Sequence, residues 1–396
     1  MTSKERHEAR YQRRKAKRLR KVAERSKQYT QDVFTPEAIA NAYKLHKKNT
    51  GRKTSIQRYG GNLTANVVNA SKEVLSGGWK SKGFYEFDII ERGKARHIMT
   101  TDVEEKCIQR AFCDNCLVPI LQSYLIYDNS ATIKGKGTDF ALDRLTESLR
   151  HHYRKYKREG GIYFFDFTNF FGNIDNVLLT QEVRKKLLDD LCRKMYEAFV
   201  FAFGDTGLGL GSQVSQISAV FFPNAVDHLI KNHLGVKGYG RYMDDGYIIC
   251  NDIATLKKIV EQFEEKCEKL HIKMNRKKCH IYKLTKPFKF LKVRFRLLES
   301  GAVIRKINRI STRKERQRLK KYKNFVLNGI MTIQDVRLQL HSWICQQNRG
   351  LCHDSIVSMI KWYNEIFKGM DVFSPPKKKK YRRLIKLSRH VRRMVA

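Results

Sequence analysis

Two adjacent carboxylates, Asp244 and Asp245, lie among strand-forming residues in the segment Arg-Tyr-Met-Asp-Asp-Gly-Tyr-Ile-Ile. Burying two such charges is costly unless a cation compensates for them. At a tight hairpin both carboxylates can face one group of ions, and hard divalent cations such as Mg²⁺ prefer oxygen ligands. Taken alone, the pair fits an exposed Asp-Asp turn equally well.

A third carboxylate, Asp166, ends an upstream apolar run that begins at Ile162. On its own it would be interpreted as a residue that ends a strand and caps the next helix. Together with Asp244 and Asp245 it gives the smallest acidic set that can hold two Mg²⁺ ions about 3.5–4 Å apart for in-line phosphoryl transfer. The three acids therefore predict a two-metal site.

A glycine-rich segment, residues 207–216, lies between these acids and leads into a helix of small residues. Glycine backbone allows a nucleotide or a template to approach closely, and Ser215 and Gln216 can hydrogen-bond to base, sugar or phosphate. A dinucleotide-binding fingerprint is disfavoured, because the segment does not directly follow a strand and no ribose-binding acid lies at the expected distance.

Alternating strands and helices must position these residues. Predicted strands cover 162–167, 242–250 and 288–295, with a further short one at 83–90. Predicted helices cover 176–203, 214–234 and 253–270, and the chain from about residue 304 is predicted to be helical and basic. This pattern is typical of an α+β fold in which helices back an antiparallel sheet.

The charge of the chain indicates a polyanionic partner. Its 396 residues include 80 Lys and Arg against 39 Asp and Glu, a formal net charge of +41. Nucleic acid is the usual polyanion that screens such self-repulsion, and no basic amphipathic helix with a clean apolar face favours a membrane surface. Without a run of about 18 apolar residues or an apolar N-terminal signal, a soluble cytoplasmic protein is expected.

The nine cysteines do not form a disulfide pattern. Cys113 and Cys116 form a lone Cys-x-x-Cys motif without a second pair at zinc spacing. We therefore predict that both are core residues of a helix.

The order of an Asp-terminated strand, a Gly-x-x-x-Ser-Gln segment and a Tyr-Met-Asp-Asp hairpin resembles motifs A, B and C of reverse transcriptases. Residues 270–278 are similar to motif D, and residues 290–292 are similar to the motif E turn, where the family usually has glycine instead of Lys292. Ser215-Gln216 and Phe170-Phe171 resemble the bacterial group II intron-like branch. That branch includes diversity-generating retroelement, retron and phage-defence enzymes.

The resemblance covers about residues 83–367 and implies a right-hand polymerase fold with an antiparallel palm sheet and a helical thumb. The implied domains are a basic N-terminal extension at 1–30, fingers at 31–160, a palm at 161–296, a thumb at 297–372 and a basic tail at 373–396. About a hundred residues follow motif E, so a free-standing polymerase without a nuclease domain is expected.

The implied activity is RNA-directed DNA synthesis. Asp166, Asp244 and Asp245 would be the catalytic residues and, with the backbone carbonyl of Phe167, would bind two Mg²⁺ ions, for which Mn²⁺ is an alternative. Nucleotide-binding roles are implied for Arg96, Lys134, Phe171, Gly211, Ser215, Gln216 and Lys278.

Two of these residues have a more specific implied role. Phe171 would be the steric gate that excludes a 2′-hydroxyl, and Lys278 would protonate pyrophosphate. The implied partners are an RNA template or non-coding RNA, a DNA primer and dNTPs, with an accessory protein or a second copy as further candidates. The origin would be bacterial or phage. Template-independent or protein-primed synthesis on the same fold and a non-catalytic, maturase-like RNA-binding protein remain alternatives.

Overall fold

A computed structural model of the chain describes residues 3–91, 94–307 and 309–374. The chain divides into two compact units, one of residues 1–148 and 160–281 and the other of residues 149–159 and 282–396. The tail predicted at 373–396 lies outside the described residues from residue 375 onward.

The helices in chain order are α1 Ser3–Val33, α2 Pro36–Thr50, α3 Thr54–Gly61, α4 Leu63–Leu75, α5 Val103–Phe112, α6 Val118–Gln122, α7 Thr138–Tyr156, α8 Asn176–Arg184, α9 Asp190–Phe201, α10 Gln213–Phe221, α11 Asn224–His228, α12 Ile253–Glu268, α13 Arg309–Leu327, α14 Ile333–Arg349 and α15 His353–Ile366. The strands are β1 Tyr85–Glu91, β2 Lys94–Thr100, β3 Gly161–Asp166, β4 Gly238–Tyr242, β5 Asp245–Cys250, β6 His280–Lys283, β7 Phe288–Phe290, β8 Val293–Leu297 and β9 Val303–Ile307.

The first unit is built on a four-stranded sheet in the order β4-β5-β3-β6, and the chain leaves this unit within β6. β5 pairs antiparallel with both β3 and β4. β3 is buried along its whole length, as expected for a central strand covered on both faces. The sheet therefore provides a rigid, dry platform for residues at its ends.

Aromatic side chains form the layer between this sheet and α12. The Phe165 ring lies 4.6 Å from that of Phe263 and stacks on Tyr239 at 6.1 Å, and Phe167 packs on the same group. Each buried aromatic ring contributes a large apolar area, and ring pairs add about 0.5–1.5 kcal/mol each. This packing fixes the end of β3, where Asp166 lies.

The second unit contains a three-stranded sheet in the order β7-β8-β9, the helices α13, α14 and α15, and the C-terminal end of α7. Leu319, Leu340 and Tyr363, one from each of α13, α14 and α15, are fully buried in its core. β7 and β8 form a hairpin whose two turn residues, Leu291 and Lys292, have φ values of +45° and +68°. The motif E turn thus forms without the glycine that this conformation favours.

Two predicted helices are wrong as single elements. The helix predicted at 176–203 is α8 and α9, because Asp189 accepts a hydrogen bond from the Cys192 N–H and begins a new helix. The helix predicted at 214–234 ends at Phe221, and Pro223, which has no N–H to donate, precedes α11. The helix predicted at 253–270 is confirmed as α12.

Two predicted strands are also wrong in their limits. The segment 242–250 contains the end of β4, a turn and β5, so the sequence missed most of β4. The segment 288–295 is a hairpin of two strands. The chain from residue 304 begins with β9 before its helices follow. In the first two segments, a two-residue turn without glycine hides the break between the strands. In the third, a short strand precedes the basic helical run.

Cys113 and Cys116 are free and buried in a π-helical turn between α5 and α6, which confirms them as core residues. None of the helices that the structure describes is long and apolar enough to cross a membrane.

Candidate active site

The antiparallel pairing of β3 and β5 brings two distant acids side by side. Asp166, the last residue of β3, is the register partner of Asp245, the first residue of β5. Directly opposite residues in such a pair have Cα atoms about 4.5–5.5 Å apart. The Phe167 N–H donates to the Asp244 carbonyl at 3.2 Å. The three aspartates therefore meet at one end of the sheet, as the sequence predicts.

The turn between β4 and β5 consists of Met243 and Asp244. Met243 has φ +58°, a left-handed conformation that costs a non-glycine residue roughly 1–3 kcal/mol. The glycine after the acids has a steric reason, because a Cβ on Gly246 would lie 2.1 Å from the Phe165 ring. The hairpin is thus held in a strained and closely packed conformation.

Side chains from the segment after α12 hold the Asp166 carboxylate. Asn275 Nδ2 donates to Asp166 Oδ1 at 2.8 Å, and Lys278 Nζ lies 2.6 Å from Oδ2. The Asn275 N–H also donates to the Asp166 carbonyl at 2.8 Å. The motif D segment is therefore part of the acidic site, and Lys278 is its nearest cation.

Burial and mutual repulsion change the acidity of the hairpin carboxylates. Burial and the negative charges of Asp244 and Asp166 together raise the pKa of Asp245 to about 7, although the Lys278 ammonium opposes the change. Burial also raises the pKa of Asp244, with Asp166 adding to the effect and Lys278 opposing it. Acids that repel one another in this way are stabilised in their charged form when a cation binds beside them.

The donor set fits divalent cations in type, since it consists of carboxylate oxygens. In the described part of the chain, no three His, Cys, Asp or Glu side chains are already arranged to hold a metal ion. The Asp166 carboxylate is instead occupied by Asn275 and Lys278. A cation bound by both this residue and the hairpin acids would have to replace the Lys278 ammonium.

The raised pKa of Asp245 predicts a pH-dependent stability. Between the unfolded value near 3.9 and the folded value near 7, the folded state binds more protons, so the free energy of unfolding falls as pH rises through this window. Asp245→Asn removes the charge. It should therefore stabilise the chelated protein at pH 8 by roughly 2–4 kcal/mol and have little effect near pH 4.

Thermal unfolding in a chelating buffer from pH 4 to pH 8 measures this difference. Asp205→Asn, which changes an exposed turn carboxylate, is the matched control and should leave the melting temperature nearly unchanged at both ends. Adding Mg²⁺ at pH 8 should raise the melting temperature of the wild type more than that of Asp245→Asn. If the difference in melting temperature between wild type and Asp245→Asn does not increase with pH, the pKa of Asp245 is not raised in the folded state.

The glycine-rich segment packs against the hairpin of β1 and β2. The Met99 N–H donates to the Leu210 carbonyl at 3.1 Å. Gly211 has φ +127°, and a Cβ there would lie 2.8 Å from the Met99 carbonyl oxygen, so only glycine allows this approach. Ser212 caps α10 by accepting from the Ser215 N–H. The buried Ser215 hydroxyl has no hydrogen-bond partner among the described residues.

The remaining predicted nucleotide-binding residues occupy different places in the first unit. Lys134 and Gln216 are exposed and line one cavity of 960 Å³, whose described lining residues do not include the three aspartates. Arg96 is exposed on β2, opposite Ile89. Phe171 is half-buried, packs edge-on against Phe170, and accepts from the Leu208 N–H through its carbonyl.

A buried ion pair supports the acidic hairpin. The guanidinium of Arg241 donates to both carboxylate oxygens of Asp227, at 2.8 and 2.6 Å, and both side chains are 0% exposed. The same guanidinium donates to the Met243 carbonyl at 2.9 Å and to the Val220 carbonyl at 2.8 Å. Arg241 thus joins α10, α11 and the strained turn residue.

The sequence did not predict roles for Asn275, Arg241 or Asp227. Asn275 could have been found, because it lies three residues before Lys278 in the segment that resembles motif D. Arg241 could also have been found, because it is a single arginine among strand-forming residues close to two acids. Nothing in the sequence pairs Asp227 with Arg241, since their contact depends on how α11 packs beneath the sheet.

Residues 80–295, more than half of the chain, match the model of a family described as "Reverse transcriptase (RNA-dependent DNA polymerase)". The chain therefore belongs to the reverse transcriptase family. Its fold is the right-hand polymerase fold, of α+β class with antiparallel sheets and helices, as the sequence predicts. Members of this family generally use divalent metal ions. No curated protein matches the sequence.

Solved telomerase structures resemble the chain at low identity. Apo telomerase from Candida tropicalis aligns with a TM-score of 0.48 and 13% identity over 81% of this chain and 64% of its own. The form truncated from its C-terminal domain gives 0.43 and 14% over 56% and 54%. Telomerase from Candida albicans in complex with a fragment of telomeric RNA gives 0.44 and 11% over 72% and 55%. The aligned region spans less than two thirds of each telomerase chain.

Proposed function

We propose that the protein is an RNA-directed DNA polymerase that adds dNTPs to a primer 3′-hydroxyl by two-metal phosphoryl transfer. The observation that carries the proposal is the register pairing of Asp166 with Asp245, beside Asp244 in the same hairpin. A module that only binds RNA has no use for three clustered acids, one buried and two half-buried, facing its own polyanionic ligand. Membership of the reverse transcriptase family supports the same activity.

In this mechanism Asp166, Asp244, Asp245 and the Phe167 carbonyl would hold two Mg²⁺ ions, or Mn²⁺ in their place. When bound, the ions lower the pKa of the primer 3′-hydroxyl and neutralise the triphosphate and the leaving pyrophosphate. The protein holds its acids in place through the β3–β5 pairing and the turn at Met243, so little reorganisation is needed during the reaction.

Other residues bind the nucleotide and the template. Arg96 and Lys134 contact the triphosphate, and Phe171 excludes a 2′-hydroxyl. Gly211 and Gln216 border the nucleotide and the template, and the unpartnered Ser215 hydroxyl offers a hydrogen bond nearby. These assignments rest on the resemblance to the family motifs and on the exposure of Arg96, Lys134 and Gln216.

Lys278, which the structure places on Asp166, is available to protonate pyrophosphate once it leaves that carboxylate. Its ammonium is the cation closest to the acids, so it is already within the reaction site before any substrate arrives. The proposed role therefore requires only a side-chain movement.

We further propose that the enzyme belongs to the bacterial group II intron-like branch. The Ser215-Gln216 and Phe170-Phe171 pairs support this assignment. In that setting it works in the cytoplasm with a dedicated non-coding RNA, in phage defence or in a retroelement. Sequencing of the nucleic acid that co-purifies with the protein would identify the template and the product.

Primer extension tests the activity. With an RNA template, a DNA primer, all four dNTPs and Mg²⁺, we expect products that end at the template 5′ end, and omission of one dNTP should stop synthesis at the first complementary base. Extension that continues without the template, or that ignores the omitted dNTP, would favour template-independent or protein-primed synthesis. No extension with either Mg²⁺ or Mn²⁺ would favour a non-catalytic RNA-binding protein.

A further inference from the structure

The helix α1 lies outside the segment that matches the reverse transcriptase family and carries a concentrated positive charge. Between Arg10 and Arg20 the sequence has seven Lys or Arg residues and no Asp or Glu. Arg10, Arg13, Arg14 and Lys17 follow the spacing i, i+3, i+4, i+7, which places them on one face of the helix. All four are exposed.

These four side chains span about 10 Å along the helix axis at 1.5 Å per residue. Phosphates of one nucleic acid strand follow each other about every 3.4 Å of duplex axis, so the row can meet several of them. None of the four is ion-paired with an acidic residue that the structure describes. Their charge is therefore available to an external anion.

A second group of cations continues from α1 around the ring of Tyr124. The Arg18 guanidinium lies 4.4 Å from the ring centroid and donates to the Ser123 carbonyl at 2.8 Å. The Lys186 ammonium lies 4.6 Å from the same centroid. Arg18 thereby fixes α1 on the first unit with its charged face still in solvent.

The cations around Tyr124 repel one another. Burial lowers the pKa of Lys186, and the positive charges of Lys185, Arg18 and Lys15 lower it further, although Glu182 opposes the change. Lys185 is ion-paired with Glu182, and the other cations at this place are relieved of their repulsion when a polyanion binds there.

We propose that the basic surface, formed by Arg10, Arg13, Arg14, Lys15, Lys17, Arg18, Lys185 and Lys186, binds the phosphate backbone of a structured RNA. Contacts between basic side chains and phosphates position a nucleic acid without reading its sequence. RNA is the expected ligand because the proposed function requires the enzyme to hold one, and the inference rests on that function to this extent. The surface would anchor an RNA outside the segment that catalyses synthesis.

Binding of the full-length protein to a blunt RNA hairpin, measured over a series of salt concentrations without dNTPs, tests this proposal. The variant is Arg13→Glu with Arg14→Glu. Each lost phosphate contact lowers the salt slope by about 1, so the slope should fall by about 2. The affinity at low salt should fall by roughly tenfold or more.

Lys257→Glu with Lys258→Glu is the matched control, because it reverses two adjacent exposed cations on another helix, α12. The control should keep the wild-type salt slope, and both variants should unfold at the wild-type temperature. If Arg13→Glu with Arg14→Glu binds the RNA hairpin with the wild-type slope, the proposal is wrong. A loss confined to a DNA hairpin of the same sequence, or to vesicles of anionic phospholipid, would also overturn it.

The assay contains no nucleotides and no primer end that can be extended. Its outcome is therefore independent of primer extension. A failure of catalysis would contradict the proposed function, whereas an unchanged salt slope would contradict only the role of the basic surface.

Discussion

Asp244→Asn should abolish Mg²⁺-dependent primer extension while leaving the fold intact. The amide has nearly the shape of the carboxylate but lacks the charge that holds a cation, and a bound metal ion supplies several kcal/mol of transition-state stabilisation. Since each factor of ten in rate corresponds to about 1.36 kcal/mol, we expect the rate to fall about 10³-fold or more. Single-turnover extension with saturating dNTP and Mg²⁺ measures this loss directly.

Two controls keep this result interpretable. Asp205→Asn changes an exposed turn carboxylate and should extend the primer at the wild-type rate. Asp244→Asn should also unfold at pH 8 at or above the wild-type temperature, because it removes a buried negative charge whose pKa is already raised. If the well-folded variant extends the primer within tenfold of the wild type, the acids do not form the reaction centre.

Arg241→Ala should destabilise the protein by about 3–5 kcal/mol, because it leaves the carboxylate of Asp227 buried without its partner. This loss is a large part of the 5–15 kcal/mol by which a domain is typically stable. Chemical denaturation measures it. The exposed pair of Lys269 and Glu265 provides the contrast, since Lys269→Ala breaks a solvent-screened ion pair and should leave the stability nearly unchanged.

A double variant can separate the effect of Arg241 on the stability of the fold from its effect on the turn at Met243. Arg241→Met combined with Asp227→Leu removes both charges and should recover most of the stability, as buried ion pairs replaced by apolar residues often do. It cannot restore the hydrogen bond from the guanidinium to the Met243 carbonyl. Extension should stay about 10²-fold slower, the usual effect of a small misplacement of reacting groups. Recovery of both stability and rate would mean that Arg241 acts only in folding.

Most of the acidic site could be predicted from the sequence because its acids lie in strongly apolar surroundings. Asp166 and the pair Asp244-Asp245 each follow or precede strand-forming residues, and their convergence was predicted because three acids are the smallest set that can hold two metal ions. The strand that completes the hairpin, β4, was largely missed because its residues Gly238 and Gly240 lack the alternating apolar pattern of a strand. The predicted ends of helices and strands were wrong at turns whose position depends on tertiary packing.

The supporting contacts could not be predicted, for a different physical reason. Asp227 lies in a five-residue helix, and its pairing with Arg241 is set by the packing of that helix under the sheet. Likewise, the cavity that Lys134 shares with Gln216 joins segments about 80 residues apart in the sequence. Such long-range contacts leave no local periodicity to detect. The positive φ of Lys292 could not be predicted either, since lysine rarely adopts this conformation.

The ammonium of Lys278 and any divalent cation compete for one oxygen of Asp166. By thermodynamic reciprocity, whatever draws that lysine away must strengthen cation binding by the same factor, and an arriving cation must loosen the lysine equally. A triphosphate, which attracts an ammonium, would thus favour cation binding at Asp166. Under the proposed function, Asp166 is paired with an ammonium at rest and becomes free for a metal ion when the nucleotide draws Lys278 away.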